Sequence, residues 1–136
     1  MNLEFEIAGG DFTKAGYASS QVKKMLKQLG VEAHCIKNIV IALYEAEVNV
    51  VAHAYEGQIL VHIESDKITT KIIDKGPGIP DIEQAMQEGY STASKKVREM
   101  GFGAGMGLPN IKKNTDKLQI QSKVDEGTTV EMVNYF

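Results

Sequence analysis

The sequence has little of several residues that often signal a function. It has one cysteine, Cys35, which excludes an intramolecular disulfide and a thiolate-only zinc site. Arg98 is the only arginine and the lysines are scattered, which argues against a nucleic-acid surface. No apolar run approaches the roughly 18 residues of a membrane span, and the first residues lack the basic start and apolar stretch of a signal peptide. We therefore expect a cytoplasmic protein that binds neither nucleic acid nor membrane.

The remaining composition is that of an ordinary globular protein. The chain has 136 residues, of which 43% are hydrophobic and 24% charged, and its net charge is -3. These proportions exclude wholesale disorder, a collagen-like fibre and a coiled coil. A chain of this length has room for one hydrophobic core. We therefore expect a single domain over residues 1–136.

Hydrophobic periodicity predicts five strands and four helices. The predicted strands cover residues 3–8, 59–63, 68–73, 118–124 and 128–134. The predicted helices run from a cap at Asp11 or Thr13 to about Leu29, where Gly30 ends the helix, and over 31–54, 81–88 and 106–116. This order is unlike that of a βαβαβ fold. We expect an α/β (α+β) two-layer sandwich with a mixed, mostly antiparallel sheet and helices on one face.

The second predicted helix carries a polar column. Glu45, Asn49 and His53 are spaced four residues apart, which places them on one side of a helix. Apolar residues flank this column, and a polar group in such surroundings needs partners. A carboxylate, an amide and an imidazole together offer a base, an oxygen ligand for a hard cation and a hydrogen-bonding group. The alternative interpretation is a plain solvated face.

A first glycine-rich segment, DKGPG at residues 74–78, comes directly after an apolar predicted strand. An aspartate at this place, Asp74, is well placed to accept a hydrogen bond from a ligand amine. Gly76 and Gly78 leave room for a flat group against the backbone. The alternative is an ordinary turn, because the same composition is good turn chemistry.

A second segment has glycines at alternate positions, Gly103, Gly105 and Gly107, before a predicted helix. Free backbone N–H groups at such a helix start favour an anion, and a flexible hinge is the alternative. The segment fits neither a dinucleotide fingerprint nor a P-loop, because no strand directly precedes it and Gly-Lys-Ser/Thr is lacking. Thr128, which follows the last predicted turn, indicates only a turn when taken alone.

Taken in order, these segments are more specific than any one of them. Together they resemble the Bergerat-type ATP-binding fold shared by gyrase, Hsp90, histidine kinases and MutL. Within that superfamily, the chain resembles the small serine kinases of bacterial partner-switching systems, which include anti-sigma factors and switch kinases. The resemblance extends from the first predicted strand to the last hairpin. Residues 74–90 (DKGPGIPDIEQAMQEGY) and 103–110 (GAGMGLPN) look especially like the switch-kinase branch.

The resemblance implies a role for each matching residue. Asn49 matches the asparagine that ligands Mg²⁺ bridging the ATP phosphates, and Glu45 matches the glutamate proposed as general base toward the attacking hydroxyl. His53 would contact phosphate or support the site. Asp74 matches the aspartate that accepts a hydrogen bond from the adenine amine. The other matches are Gly76 and Gly78 beside the adenine, Gly103, Gly105 and Gly107 beside the phosphates, and Thr128 near the adenine ring.

The resemblance also implies a mobile ATP lid and includes one departure. Residues 89–102 match the lid of the family. Anti-sigma members have an arginine shortly before the glycine pair, where this chain has Gly103. Arg98 lies upstream, and two interpretations stay open for it. It reaches the γ-phosphate when the lid closes, or, with Lys95 and Lys96, it only keeps the lid soluble.

Three functional hypotheses follow. The first is a Mg-ATP-dependent serine/threonine protein kinase that phosphorylates a STAS-domain antagonist, with a sigma factor or a phosphatase as a further partner and a homodimer as a conceivable assembly. The second is a non-catalytic ATP-binding module that acts by nucleotide-dependent protein binding. The third, argued from the glycines alone, is a dinucleotide-binding enzyme.

Overall fold

A five-stranded antiparallel sheet packs against a layer of helices in the computed structural model, which describes residues 1–87 and 107–136. The strands are β1 (Asn2–Ala8), β2 (Glu56–Ile63), β3 (Lys67–Lys75), β4 (Lys117–Lys123) and β5 (Gly127–Tyr135). They lie in the order β1-β2-β3-β5-β4. The expected two-layer α+β sandwich is confirmed. All four pairings between these strands are antiparallel, whereas the sequence predicted a mixed, mostly antiparallel sheet.

The helical layer is centred on one long helix. Within the described ranges it comprises a 3₁₀ turn (Phe12–Lys14) and the helices α1 (Tyr17–Gln28), α2 (Ala33–His53), α3 (Ile82–Ala85) and α4 (Gly107–Lys113). The central helix α2 contacts α1, α4 and four of the strands. No helix in the described part of the chain is long and apolar enough to cross a membrane.

The core lies between one face of the sheet and the inner faces of the helices. Side chains alternate along each strand, so every second residue points to the helical layer. Each layer contributes fully or almost fully buried side chains: Leu26 from α1, Leu43 from α2, Ile59 and Ile72 from β2 and β3, Ile111 from α4 and Met132 from β5. This packing fixes the position of α2 over the sheet, and with it the polar column that α2 carries.

The first helix begins later than the sequence predicts. Neither Asp11 nor Thr13 caps it, because Thr13 lies in the 3₁₀ turn, Asp11 directly precedes that turn, and the Thr13 hydroxyl donates to the Asp11 carboxylate. Gly16, whose φ is 95°, turns the chain into α1 at Tyr17. Gly16 has no side chain that could accept the free N–H groups of the first helical turn, so another part of the protein must supply the acceptor.

Glu47 of α2 supplies that acceptor. Its Oε2 accepts from the backbone N–H of Ala18 at 3.0 Å, and its Oε1 accepts from that of Ser19 at 3.2 Å. The Glu47 side chain is only 2% exposed. A buried carboxylate on α2 therefore caps the start of the preceding helix and holds α1 against α2.

Two other predicted helix boundaries agree with the structure: the C-terminal end of α1 and the start of α3. Gly30 ends α1 as expected, with φ of 77°, and the N–H groups of Gly30 and Val31 bond back to the last turn of the helix. Asp81 caps α3, since its Oδ1 accepts from the N–H of Gln84 at 3.1 Å. This helix ends at Ala85, short of the predicted residue 88, which lies outside the described ranges.

Candidate functional site

A cleft opens between α2 and the end of the sheet where β3 finishes and β5 begins. The segment from Pro77 to Asp81 and the start of α4 border it on two other sides. Seven of the residues singled out from the sequence line it: Glu45, Asn49, His53, Asp74, Gly78, Gly107 and Thr128. The structure thus brings together residues that lie up to 83 positions apart in the chain.

The polar column of α2 faces this cleft and not bulk solvent. Glu45, Asn49 and His53 are each half-buried, and their neighbours Ala46 and Val50 line the same cleft with apolar surface. The interpretation of the column as a plain solvated face is therefore wrong. Burial lowers the pKa of His53 below its usual value of 6.5, because a partly desolvated site disfavours the imidazolium form.

The carboxylate of Asp74 lies at the other side of the cleft, on the strand β3. Its Oδ1 accepts a hydrogen bond from the backbone N–H of Thr128 at 3.1 Å. Burial raises the pKa of Asp74 above its usual value of 3.8, and the Thr128 bond opposes that shift. With one oxygen fixed by Thr128, the second oxygen of the carboxylate retains its capacity to accept from a ligand.

The loop after Asp74 is held against the β4–β5 hairpin. The N–H of Ile79 donates to the Ser122 hydroxyl at 2.7 Å, and the N–H of Asp125 donates to the Pro77 carbonyl at 2.9 Å. At Gly78, φ is 76°, and a Cβ would lie 2.4 Å from the Lys123 carbonyl oxygen. Only glycine fits this position without moving the loop.

Gly76, the glycine closest to Asp74, is buried against the end of α2. A Cβ at Gly76 would lie 2.9 Å from the Cα of Ala54. Gly76 itself does not line the cleft, although its neighbour Ala54 does. Its place in the structure is therefore a close approach of two backbones beside the cleft.

Gly107 lies directly against the amide of Asn49. A Cβ there would be 2.8 Å from the Asn49 Oδ1 and 3.0 Å from its Nδ2, so any side chain would displace the amide. The position of Gly107 at the start of α4 and the position of the Asn49 amide on α2 therefore depend on each other. Gly103 and Gly105, together with Arg98 and the predicted lid at 89–102, lie outside the described ranges.

Two residues beside the cleft, Asn110 and Ser122, and one away from it, Glu47, were not singled out from the sequence. Asn110 of α4 donates from its Nδ2 to the Oε1 of Glu45 at 3.3 Å. Ser122 joins the Ile79 loop to Thr128, whose hydroxyl lies 2.8 Å from its own. Glu47 caps α1, and its charge within an apolar helix was the one signal that the sequence offered. Nothing in the sequence spacing points to Asn110 or Ser122, because their contacts join distant segments.

The residues of the cleft fit a magnesium ion that is held mainly by a phosphorylated ligand. Asn49 offers an amide oxygen, a ligand type that hard cations accept. Among the residues that the structure describes, no three His, Cys, Asp or Glu side chains converge to form a metal site of their own. A cation here would therefore depend on oxygens that the ligand brings, which is the usual way in which Mg²⁺ is bound.

Comparison of the sequence with protein families finds one that covers most of the chain. Residues 12–134 match the family described as histidine kinase-like ATPase domain. An anti-sigma F factor of Thermoanaerobacter sp. (strain X514) is 35% identical over 124 residues, which are 88% of this chain and 83% of that protein. The serine/threonine-protein kinase RsbT of Bacillus subtilis (strain 168) is 33% identical over 117 residues, which are 83% of this chain and 82% of that protein.

Solved structures agree with the fold. The RsbU and RsbW domains of Rv1364c from Mycobacterium tuberculosis superimpose with a TM-score of 0.67 at 17% identity, covering 98% of this chain. This chain spans 32% of that longer one. The mycobacterial sensor histidine kinase MprB gives a TM-score of 0.57 at 15% identity over 99% of this chain and 97% of that one. These two structures share the fold, and the sequence match over residues 12–134 shows that the chain belongs to the histidine kinase-like ATPase domain family.

Proposed function

We propose that the protein is a Mg-ATP-dependent serine/threonine protein kinase of a bacterial partner-switching system, and that it phosphorylates a STAS-type antagonist protein. The observation that carries this proposal is that three half-buried side chains line the same cleft: Glu45 and Asn49 on α2, and Asp74 on β3. Membership of an ATPase domain family supports ATP as the ligand. The relatives named anti-sigma F factor and serine/threonine-protein kinase RsbT support the partner-switching role.

Asp74 and Thr128 form the proposed adenine end of the site. The Asp74 carboxylate accepts the hydrogen bond of the adenine amine, while the Thr128 N–H keeps that carboxylate in place. Gly78 and the apolar side chains of Ile79 and Val130 line the same region and leave room for the flat base. A strand-borne acceptor beside apolar surface selects a ring that carries an amine over one that carries a carbonyl.

Glu45 and Asn49 form the proposed phosphate end. Glu45 lies two helical turns before His53 on α2, which separates it from the C-terminal end of α2 by about 12 Å along the axis. This separation accommodates an extended ligand between Asp74 and Glu45. Asn49 would hold the cation through its amide oxygen, and Gly107, which lies against that amide, would border the phosphates. Mg²⁺, when bound, neutralises charge on the phosphate oxygens.

Glu45 is the proposed general base. Its carboxylate accepts the proton of a serine or threonine hydroxyl as the hydroxyl oxygen forms its bond to the γ-phosphorus. The bond between that phosphorus and the oxygen shared with the β-phosphate breaks, and ADP leaves with the electron pair. The proton then passes from Glu45 to solvent. Phosphoryl transfer depends mainly on the position of the reactants and on charge stabilisation. A positioned general base raises the rate by a further factor of about 10² to 10⁴.

Calorimetric titration with ATP, with and without Mg²⁺, tests the binding site. We expect binding that requires Mg²⁺, and we expect Asn49→Ala to weaken it strongly because the variant loses the amide oxygen. The matched control is Asn38→Ala, which removes an asparagine of the same helix that does not line the cleft. Folded protein that binds no ATP under either condition contradicts the proposal.

Transfer of label from [γ-³²P]ATP to purified STAS-domain proteins tests the reaction. We expect Glu45→Ala to abolish transfer and to leave ATP affinity within about twofold, since the base acts only in the chemical step. The control Glu56→Ala removes an exposed glutamate of β2. If no label is transferred and nucleotide changes only the affinity of this protein for the STAS protein, the kinase proposal is wrong. The protein is then a non-catalytic ATP-dependent binding module.

A further inference from the structure

We propose that Asn110 is a positioning residue that orients the Glu45 carboxylate, and that two further asparagines fix Asn110 to the sheet. This inference rests on the proposed function, in which Glu45 is the base. Asn110 lies on α4, and its Nδ2 donates to the Oε1 of Glu45 at 3.3 Å. A free glutamate side chain samples many rotamers, and fixing it in one of them costs conformational entropy. The bond from Asn110 holds Glu45 in one of them before substrate arrives.

The bond uses only part of the Glu45 carboxylate. An ionised carboxylate offers about four acceptor positions on two oxygens. Asn110 occupies one position on Oε1, so Oε2 keeps its capacity to accept a proton from a hydroxyl. Asn110 is also uncharged. A lysine at this place would neutralise the carboxylate, whereas an amide orients it and leaves its charge.

Two other asparagines anchor α4 to the sheet. The Nδ2 of Asn114 donates to the Asn110 carbonyl at 2.8 Å, and the Nδ2 of Asn134 donates to the Asn114 carbonyl at 2.7 Å. Asn134 lies on β5 and is 8% exposed. This series of three asparagines links the C-terminal end of β5 to the Glu45 side chain through α4 and the residue that follows it.

The opposite end of the same helix approaches the second proposed site residue. Gly107 begins α4 and lies against the Asn49 amide, where a Cβ would come within 2.8 Å. The short helix α4 therefore touches both Asn49 and Glu45. Its anchorage to β5 sets the position of the proposed base relative to the proposed cation ligand.

Turnover of Mg-[γ-³²P]ATP by the full chain, alone and with a STAS-domain acceptor, tests the role of Asn110. We expect Asn110→Ala to lower kcat by about 10- to 100-fold while KM and the calorimetric Kd for ATP stay within twofold. Asn38→Ala serves as the matched control.

Asn110→Asp separates positioning from simple packing. Aspartate has nearly the shape of asparagine, so a packing role predicts a variant milder than Asn110→Ala. If Asn110 positions Glu45 through the hydrogen bond that it donates, the kcat of Asn110→Asp should be at least as low as that of Asn110→Ala, because the new carboxylate repels Glu45. Circular dichroism checks that both variants are folded.

The outcomes separate the two proposals. Active wild-type protein with an Asn110→Ala variant within twofold in kcat overturns the positioning role alone. The same holds if the variant is slow only through a raised KM, or if Asn110→Asp is nearly as fast as wild type. Wild-type protein that binds Mg-ATP and neither hydrolyses nor transfers its phosphate overturns the kinase proposal, and the positioning role with it.

Discussion

At the scale of single residues, the cleft is defined by partly buried groups whose protonation the fold alters. Burial raises the pKa of Asp74 and lowers that of His53. Both shifts favour the neutral form, which is the expected effect of removing a charge from water. The sequence predicted both residues as part of one site. It could not predict the shifts, since they depend on how deeply each group is buried in the folded chain.

Asp74→Asn should weaken ATP binding without destabilising the protein. The amide oxygen of asparagine can still accept from the Thr128 N–H, and it then presents an NH₂ donor where the ligand amine needs an acceptor. The loss of one hydrogen bond to a charged group lowers ATP affinity by about 10- to 100-fold. Because burial opposes ionisation of Asp74, we expect the melting temperature without ligand to stay equal or rise.

Calorimetry and thermal unfolding of Asp74→Asn measure the two effects. Asp66→Asn, in the exposed turn between β2 and β3, is the control and should leave ATP affinity unchanged. An Asp74→Asn variant that binds ATP as tightly as the wild-type protein would show that Asp74 is not the acceptor.

His53 should make the protein less stable in mild acid. Its pKa in the folded state lies below the usual 6.5, so between these two values the unfolded chain binds more protons. The free energy of unfolding therefore decreases as the pH falls from about 6.5. His53→Gln should remove this part of the pH dependence, whereas His62→Gln, at an exposed histidine of β2, should not. Urea unfolding at pH 7.5 and 5.5 measures this change in the free energy of unfolding. An equal decrease in wild type and His53→Gln would show that His53 does not cause it.

At the scale of secondary structure, the elements are predictable from local pattern where their own residues supply the end signals. Gly30 ends α1 and Asp81 begins α3, and both signals are local. The start of α1 is different, since its cap comes from Glu47, which lies 30 positions after Tyr17 in the sequence. Asp11 and Thr13 are good caps by residue type alone, and the tertiary contact overrides them.

Glu47→Ala should destabilise the fold markedly. The change leaves the buried N–H groups of Ala18 and Ser19 without their acceptor, at about 1–3 kcal/mol for each. We expect the free energy of unfolding to fall by about 2–6 kcal/mol in total, and by less for Glu47→Gln, which keeps one acceptor oxygen.

Urea unfolding followed by circular dichroism measures the effect of Glu47→Ala. The control Glu32→Ala removes an exposed glutamate before α2 that makes no capping bond, so its effect should be close to zero. Equal stability of the two variants would mean that Glu47 does not hold α1.

At the scale of the whole molecule, strand pairing brings the motifs together in a way that the chain order hides. The register places Ile73 opposite Thr129, and this puts Asp74 beside Thr128. Spacing alone could predict the column on α2, because that column belongs to one helix. The approach of Asp74 to Thr128, and that of Gly107 to Asn49, entered the sequence interpretation only through the family resemblance. The contact between Asn110 and Glu45 did not enter it at all.

Mg-ATP should stabilise the whole fold if the cleft is the nucleotide site. A ligand that binds only the folded state at 100 times its Kd adds about 2.7 kcal/mol to the free energy of unfolding. Urea unfolding with and without saturating Mg-ATP measures this, and Asn49→Ala at the same concentration should gain much less. A wild-type midpoint that does not move with Mg-ATP is the contrary result.

The two ends of the chain share one region of the surface, remote from the cleft. The N-terminal ammonium of Met1 bonds to the Ile63 carbonyl, and the Phe136 N–H bonds to the Asp66 carbonyl. Both therefore meet at the turn that joins β2 to β3, whereas Asp74 and Thr128 stand at the opposite end of the same strands. A fluorophore or a fused domain at either terminus should leave nucleotide entry unobstructed. A circular permutant that joins residue 136 to residue 1 would need only a short peptide link.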